Sequence, residues 1–372
     1  MAHAYTPGLL VRERAFIRKR RMLPLRGQVL VREGERVDSR QVVARTELPG
    51  NVQLINVAHH LGIEPSDVPE KLKAAVGDKV ARGQVIAENV GWLGLFRSQV
   101  TAPCDGEIEA ISPVTGQIII REPNIPLELT AYLSGKVVEI IPEEGVEIAA
   151  VGTIIQGILG IGGEKFGRIA VVADAPTAEI TPADIPQDAS GLVLVGGQRA
   201  SLETYRCAME RGAVGLVVGS FDDSDLSAIL GYDLGIAITG GEEVSTTLIL
   251  TEGFGRLAMA ARTFALLKKL EGREASINGA TQIRAGVIRP EIVVSSDEEI
   301  DSVSEHVATE TRIGALVRII REPHFGAIAR IKALPSEPVV IESGATVRVM
   351  VVELPDGREH ILPRANVELI EE

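Results

Sequence analysis

The stretch "VGDKVARGQVIAENVGWLGLFRSQVTAPCDGEIEAI" runs from Val76 to Ile111. Its apolar residues alternate with polar ones and are interrupted by glycine-centred turns, the pattern of β-hairpins. The same grammar recurs on either side. "VLVREGERVDSRQVVA" (Val29 to Ala44) and "KAAVGDKVARGQVIA" (Lys73 to Ala87) each turn at a glycine, Gly34 and Gly77, then give a Val, a Gln and a second apolar pair. "TAPCDGEIEAISPVTGQIII" (Thr101 to Ile120) turns in through Pro103 and Asp105-Gly106 and out through Thr115-Gly116-Gln117. "SGKVVEIIPEEGVEIAAVGTII" (Ser134 to Ile155) repeats strand-turn-strand around Glu144-Gly145. These units read as internal repeats.

This spacing resembles the barrel-sandwich hybrid fold of lipoyl and biotinyl carrier domains, efflux-pump membrane-fusion adaptors and the N-terminal part of RnfC-type redox subunits. The resemblance covers roughly Pro24 to Ile155, on the pattern GDKV, GQ and AP-x-DG. In the carrier domains a modified lysine sits on the hairpin between the halves. Here that hairpin reads "ENVGWLGLFRS", Glu88 to Ser98, and contains no lysine. The resemblance therefore implies the fold without the prosthetic group, and no cofactor is expected. The heptad hairpin and export signal of efflux adaptors are likewise missing. In place of the arm stand Trp92, Leu93, Leu95 and Phe96, an apolar tip suited to a neighbouring domain or subunit, or to a small-molecule pocket.

The chain has 372 residues, 45% of them hydrophobic, enough for two or three packed domains. Its 38 Gly and 19 Pro, against seven Phe, four Tyr and one Trp, favour short strands and many turns. A net charge of -13 opposes nucleic-acid or anionic-membrane binding by the surface as a whole. Cys104 and Cys207 show no CxxC spacing, so neither a disulfide framework nor a metal site is encoded. No apolar run reaches about 18 residues, so the chain is expected to be cytoplasmic and not inserted in a membrane. Against the acidic background, "LLVRERAFIRKRRMLPLRG" (Leu9 to Gly27) holds seven bases and only Glu13 as an acid. It reads as a basic N-terminal arm over residues 1–23, either solvated or docked on the chain's own acidic surface, or gripping an acidic partner or nucleic acid.

Between the first hairpins, His59 and His60 are adjacent and point apart, a poor metal pair, so capping or packing is expected. Ser66, Asp67, Pro69 and Glu70 open a short helix expected to end near Ala75. "QGILGIGGEKFGRIAVV" (Gln156 to Val172) is glycine-rich but runs into a strand, so it reads as a crossover and not a phosphate loop. From Gly191, strands alternate with helices. Ser201 caps the first helix, Gly212 ends it, and the strands suit a buried parallel or mixed sheet.

Ligands bind such sheets at the carboxyl ends of their strands. "TEGFGR" (Thr251 to Arg256) is the candidate turn: Gly253 and Gly255 opening a helix would cradle an anion with help from Arg256, unless Glu252 caps the helix instead. Asn278, Gln282 and Arg284, in the polar run Glu274 to Glu291, line a pocket, form a subunit contact, or make a hydrogen-bonded loop and edge strand. No nucleophile-base or paired-carboxylate arrangement is signalled, which points away from an enzyme.

Ser295 to His306 is acidic and serine-rich, a linker. Beyond it, "GALVRIIREPHFGAIARIKAL" resembles the KOW motif of NusG-type transcription factors and ribosomal proteins, which implies an SH3-like barrel and contacts with RNA, ribosome or RNA polymerase. By residue those contacts fall on Arg318, Arg321, His324, Phe325 and Arg330. KOW-like barrels also serve as protein-protein modules.

The expected architecture is thus a multi-domain, β-rich α/β chain: arm (1–23), barrel-sandwich hybrid (24–152), α/β domain (153–294), acidic linker (295–310) and KOW-like barrel (311–372). The expected role is a non-enzymatic scaffold that forms a homo-oligomer or docks on a larger complex. The alternatives are an RNA-, ribosome- or polymerase-associated factor, and an anion- or nucleotide-binding enzyme or sensor using the 251–256 turn.

Overall fold

The computed structural model describes residues 9–90, 97–231, 244–282, 288–300, 313–319, 324, 327–335, 337–340 and 346–371. The chain is strand-rich and built on several sheets; among the described residues the helical elements are short and fall within 57–71, 202–269 and 364–366.

The basic run at the N-terminus does not project as an arm; Leu9–Met22 is a strand. Its period of two sends Leu9, Val11, Ala15 and Ile17 into the interior. It pairs antiparallel with Gly145–Gln156, from Val11 opposite Ile155 to Met22 opposite Gly145, with one register shift between Arg12 and Ala15. The bases then meet the chain's own acids, as one of the sequence readings expected. Arg20 lies directly opposite Glu147 and within 3.6 Å of both Glu147 and Glu139, while Lys19 reaches Glu291 at 2.5 Å. Clustered positive charge here marks a strand facing acidic neighbours.

Gly145–Gln156 also pairs with Gly135–Ile141 and with Glu291–Ser295. The Ser134 to Ile155 repeat is therefore part of the large central sheet. Ile148, Val146, Val137, Leu133 and Ile17 pack together in one core, whereas Ile86, Ile108, Ile118 and Ile120 form another. The unit expected over 24–152 divides between these two cores. The second holds residues 52–121: a four-stranded sheet of Val52–Asn56, Gln117–Arg121, Gly106–Ser112 and Lys79–Val80, with the hairpin Val85–Val90 and Arg97–Thr101. It is reached through two paired strands, Val42–Leu48 and Ile125–Thr130. The helical turns within it cover Pro65–Asp67 and Val68–Lys71, ending before the expected Ala75.

In the α/β region, Glu164–Val171, Leu192–Val195, Gly215–Phe221 and Thr247–Phe254 run parallel. Leu159–Ile161 and Glu274–Asn278 add to them antiparallel, so the sheet is mixed. Ser201 accepts the Thr204 N–H at 3.2 Å and caps Leu202–Glu210, and Gly212 takes the left-handed φ of 84° just beyond that helix. Tyr205, 2% exposed, sends its hydroxyl to the Thr246 carbonyl at 2.6 Å. The stretch GIAITG, residues 235–240, which continues this alternation as a further strand in the sequence, lies outside the described residues.

The last region has its own core of Val317, Ile319, Ala329, Ile331, Met350 and Val352. Leu316–Ile319, Ile328–Ala333, Val349–Glu353 and Glu359–Pro363 pair in succession. Val367–Glu371 returns to Leu316–Ile319 and also meets the N-terminal strand in parallel, Leu9 opposite Ile370. Among the described residues no helix is long and apolar enough to cross a membrane.

Ile148 is fully buried between Lys19 and Val137 in the strand pairing. Ile148→Ala is expected to lower stability by about 2–5 kcal/mol, read as a shift of the urea midpoint with unchanged slope.

Candidate functional site

The strand-end turn is the first candidate. Thr247–Phe254 continues as a strand through Gly253, and the helix begins only at Ala261. Gly253 and Gly255, with φ of 121° and 95°, therefore do not open a helix, and no N-terminal dipole is aimed over them. The negative charge is already present: the Glu252 carboxylate accepts the Ala260 N–H at 2.9 Å and pairs with Arg318 from the C-terminal region. Glu252 and Arg318 side chains are 5% and 14% exposed, so this is a buried ion pair joining two cores. Arg256 points elsewhere, 3.5 Å from Glu179 and 69% exposed, a contact worth little in water. The expected anion cradle of Gly253, Gly255 and Arg256 does not assemble.

The polar run after it is equally self-contained. Glu274–Asn278 pairs on both sides, with Glu164–Val171 and Glu291–Ser295, and is not an edge strand. Asn278 accepts the Ala280 N–H at 2.9 Å, and Gln282 exchanges backbone hydrogen bonds with Ile288. Thr281 is 3% exposed and bonds both the N–H and the carbonyl of Gly160. Arg284 lies outside the described residues.

Of the KOW-like candidates, Arg318 is consumed by Glu252 and is not presented to nucleic acid. Arg330 donates to the Gly314 carbonyl at 2.7 Å. The His324 ring lies 4.2 Å from that of His360, tilted by 56°. Arg321 and Phe325 lie outside the described residues, as do Trp92, Leu93, Leu95 and Phe96. Below that tip the hairpin strands pair as far as Val90 opposite Arg97, and Glu88 at its base holds both Lys73 and Arg97.

A cluster that no local motif announced sits where the cores meet. Tyr132 is 1% exposed and carries a left-handed φ of 68°, a conformation that costs a non-glycine residue about 1–3 kcal/mol. Lys19 and Arg21 lie over its ring, 5.9 Å and 5.4 Å from the centroid, and Phe166 meets its edge. Arg21 forks onto Glu164 at 2.6 and 2.7 Å and donates to the Thr130 carbonyl, while Ser276 donates to the Tyr132 carbonyl. Burial first, then the charges of Glu291 and Glu164, push the Tyr132 phenol well above its usual range. It is therefore a neutral phenol, neither base nor nucleophile. Its residues come from positions 19 to 291, which is why spacing could not find them. The one available signal was the alternation of the basic strand, with Leu9, Val11, Ala15 and Ile17 inward.

Other reactive groups are similarly quiet. Burial, then Glu122 and Asp105, push the Cys104 thiol up, which keeps it protonated. His59 and His60 sit on the short helix Val57–Leu61, whose Asn56 cap accepts the His59 N–H. Among the described residues no three His, Cys, Asp or Glu converge on a metal position. A cleft of about 830 Å³ opens beside Lys79, Asp105, Glu107, Arg121 and Glu122, of which Arg121 is taken by Glu109. No family model matches the chain, and no curated protein matches it.

Removing one partner of a buried ion pair leaves the other charge stranded. Arg318→Ala is expected to cost about 3–5 kcal/mol by urea unfolding, and the paired change Arg318→Met with Glu252→Gln to recover most of it.

Burial also pushes the Tyr205 phenol up to about 12. The unfolded chain then loses that proton first, so stability is intact below about pH 10 and falls between about pH 10 and pH 12. Phenolate absorbance from Tyr205, isolated as the difference from Tyr205→Phe, should appear together with unfolding and not before it.

Proposed function

We propose that this protein is a non-enzymatic scaffold that self-associates or docks on a larger complex, using small β modules carried on a rigid frame. The observation that carries this reading is the use made of the charged candidates. Arg318 closes on Glu252, Arg21 on Glu164 and Lys19 on Glu291, each bridging segments far apart in sequence. Groups spent on joining cores are groups withdrawn from substrate chemistry. The neutral Tyr132 phenol and the unassembled turn at Gly253, Gly255 and Arg256 point the same way.

In this reading, residues 52–121 are a barrel-sandwich hybrid module without a prosthetic group, connected to the frame through the paired strands Val42–Leu48 and Ile125–Thr130. Residues 313–371 are an SH3-like, KOW-like barrel used as an internal protein-protein module, since its Arg318 already docks on the α/β core.

The test is the native mass of the full chain, by light scattering or native mass spectrometry, before and after nuclease. A homomeric particle larger than one chain and indifferent to nuclease is the expected result. A monodisperse monomer at micromolar concentration that captures no protein complex overturns it. Loss of mass with nuclease moves the role to RNA binding through the C-terminal barrel, with an affinity that falls with salt by about 0.7 log units per phosphate contact.

A further inference from the structure

A sheet edge offers unpaired N–H and C=O groups to any other strand, and proteins blunt such edges with charge, proline or shortness. Among the described strands of five residues or more, five pair with a single strand, and Leu9–Met22 has a second partner over only two of its fourteen residues. Leu9–Met22 is crowded with Arg and Lys, Val85–Val90 carries Glu88 and Arg97–Thr101 carries Arg97. Ile125–Thr130 carries Pro126 and Glu128, and Glu359–Pro363 is charged at one end and ends in proline. The sixth, Val52–Asn56, reads VQLIN and has none of these devices. The opposite edge of its own sheet is the two-residue Lys79–Val80, short and charged.

The ladder shows which groups this edge presents. The Glu122 N–H donates to the Asn51 carbonyl, so residues 51 and 122 form a hydrogen-bonded pair. By the alternation of an antiparallel ladder, the N–H and C=O of Val52 and Leu54 then face the open side. Their side chains are exposed too, at 47% and 59%, and only Ile55, the next residue, enters the core at 8%. Leu54 stands opposite Ile119, and Ile119 opposite Ala110 on the next strand, which extends the apolar row inward.

We infer that the open edge of Val52–Asn56 is the self-association surface, pairing antiparallel about a twofold axis with the same strand of a second copy, Leu54 opposite Leu54. This rests on the self-association reading above and names its surface. Charge selects a second copy as the occupant. The strand is neutral, so two chains of net charge -13 meet there without opposing charges. The antiparallel arrangement also carries Glu122, bonded to Gln53 and Asn51 at the start of one strand, toward His59 and His60 after the end of the other. The contact is isologous, so the complementary pair forms twice.

Sedimentation equilibrium on the full chain tests this with two variants. The wild type is expected to dimerise, and Leu54→Lys, which sets two ammonium groups opposite each other, to raise the dimer dissociation constant at least tenfold. Leu54→Cys is expected to give a covalent dimer on mild oxidation where the wild type, treated alike, gives none. A wild-type oligomer that Leu54→Lys leaves intact, with no crosslink through residue 54, overturns this edge and leaves self-association standing. A monomeric wild type with no crosslink at tens of micromolar overturns both.

Discussion

Everything in this molecule hangs on the antiparallel pairing of Leu9–Met22 with Gly145–Gln156. It is the longest strand pairing of the structure, and both strands go on to other partners: one to Val367–Glu371, the other to Gly135–Ile141 and Glu291–Ser295. Two cores, one around Ile155 and one around Ile148, share that pairing as a wall. Gly145–Gln156 is buried on both faces for most of its length, which is why the strand reads mainly as Val, Ile, Ala and Gly, with Glu147, Thr153 and Gln156 as its polar residues.

The electrostatics follow from that wall. Beyond Ile17 the buried face of the strand continues into Lys19 and Arg21, which close on Glu291 and Glu164, while Arg18 and Arg20 on the opposite face meet Glu147 and Glu139. Exposed members of this set contribute little each. The shielded ones, Arg21 with Glu164 and Lys19 with Glu291, fix the Tyr132 segment in a backbone conformation it would not hold alone. Arg318 with Glu252 does the same for the C-terminal region: a buried pair is satisfied in one docking geometry and badly unsatisfied in others.

Much of the secondary structure was legible in the sequence because it is local. The glycine turns at Gly34 and Gly77, the Ser201 cap and the alternation of strands and helices after Gly191 are written in adjacent residues, but the strands next to those two turns pair with distant strands and not with each other, so the expected hairpins do not form there. The partners were not. Nothing near Leu9 says that the basic run meets Gly145–Gln156, so its charge suggested an arm; the alternating Leu9, Val11, Ala15 and Ile17 were the better clue. The "TEGFGR" turn failed for a related reason. A strand followed by Gly-x-Gly has the form of an anion cradle, but the anion came from Glu252 within the turn and its cation from residue 318. Tyr132 itself could not have been singled out, since its environment is assembled from five separate segments.

The parallel contact between Leu9 and Ile370 sets an order on biosynthesis. At about 5–20 residues per second, that contact cannot form until tens of seconds after Leu9 leaves the ribosome. Its main partner, Gly145–Gln156, also comes late, and such distant closures fold slowly. During that interval the first strand is a bare template for any other nascent chain. The arginines and lysines that later bind the acidic face are, before then, the groups that keep it soluble and unpaired.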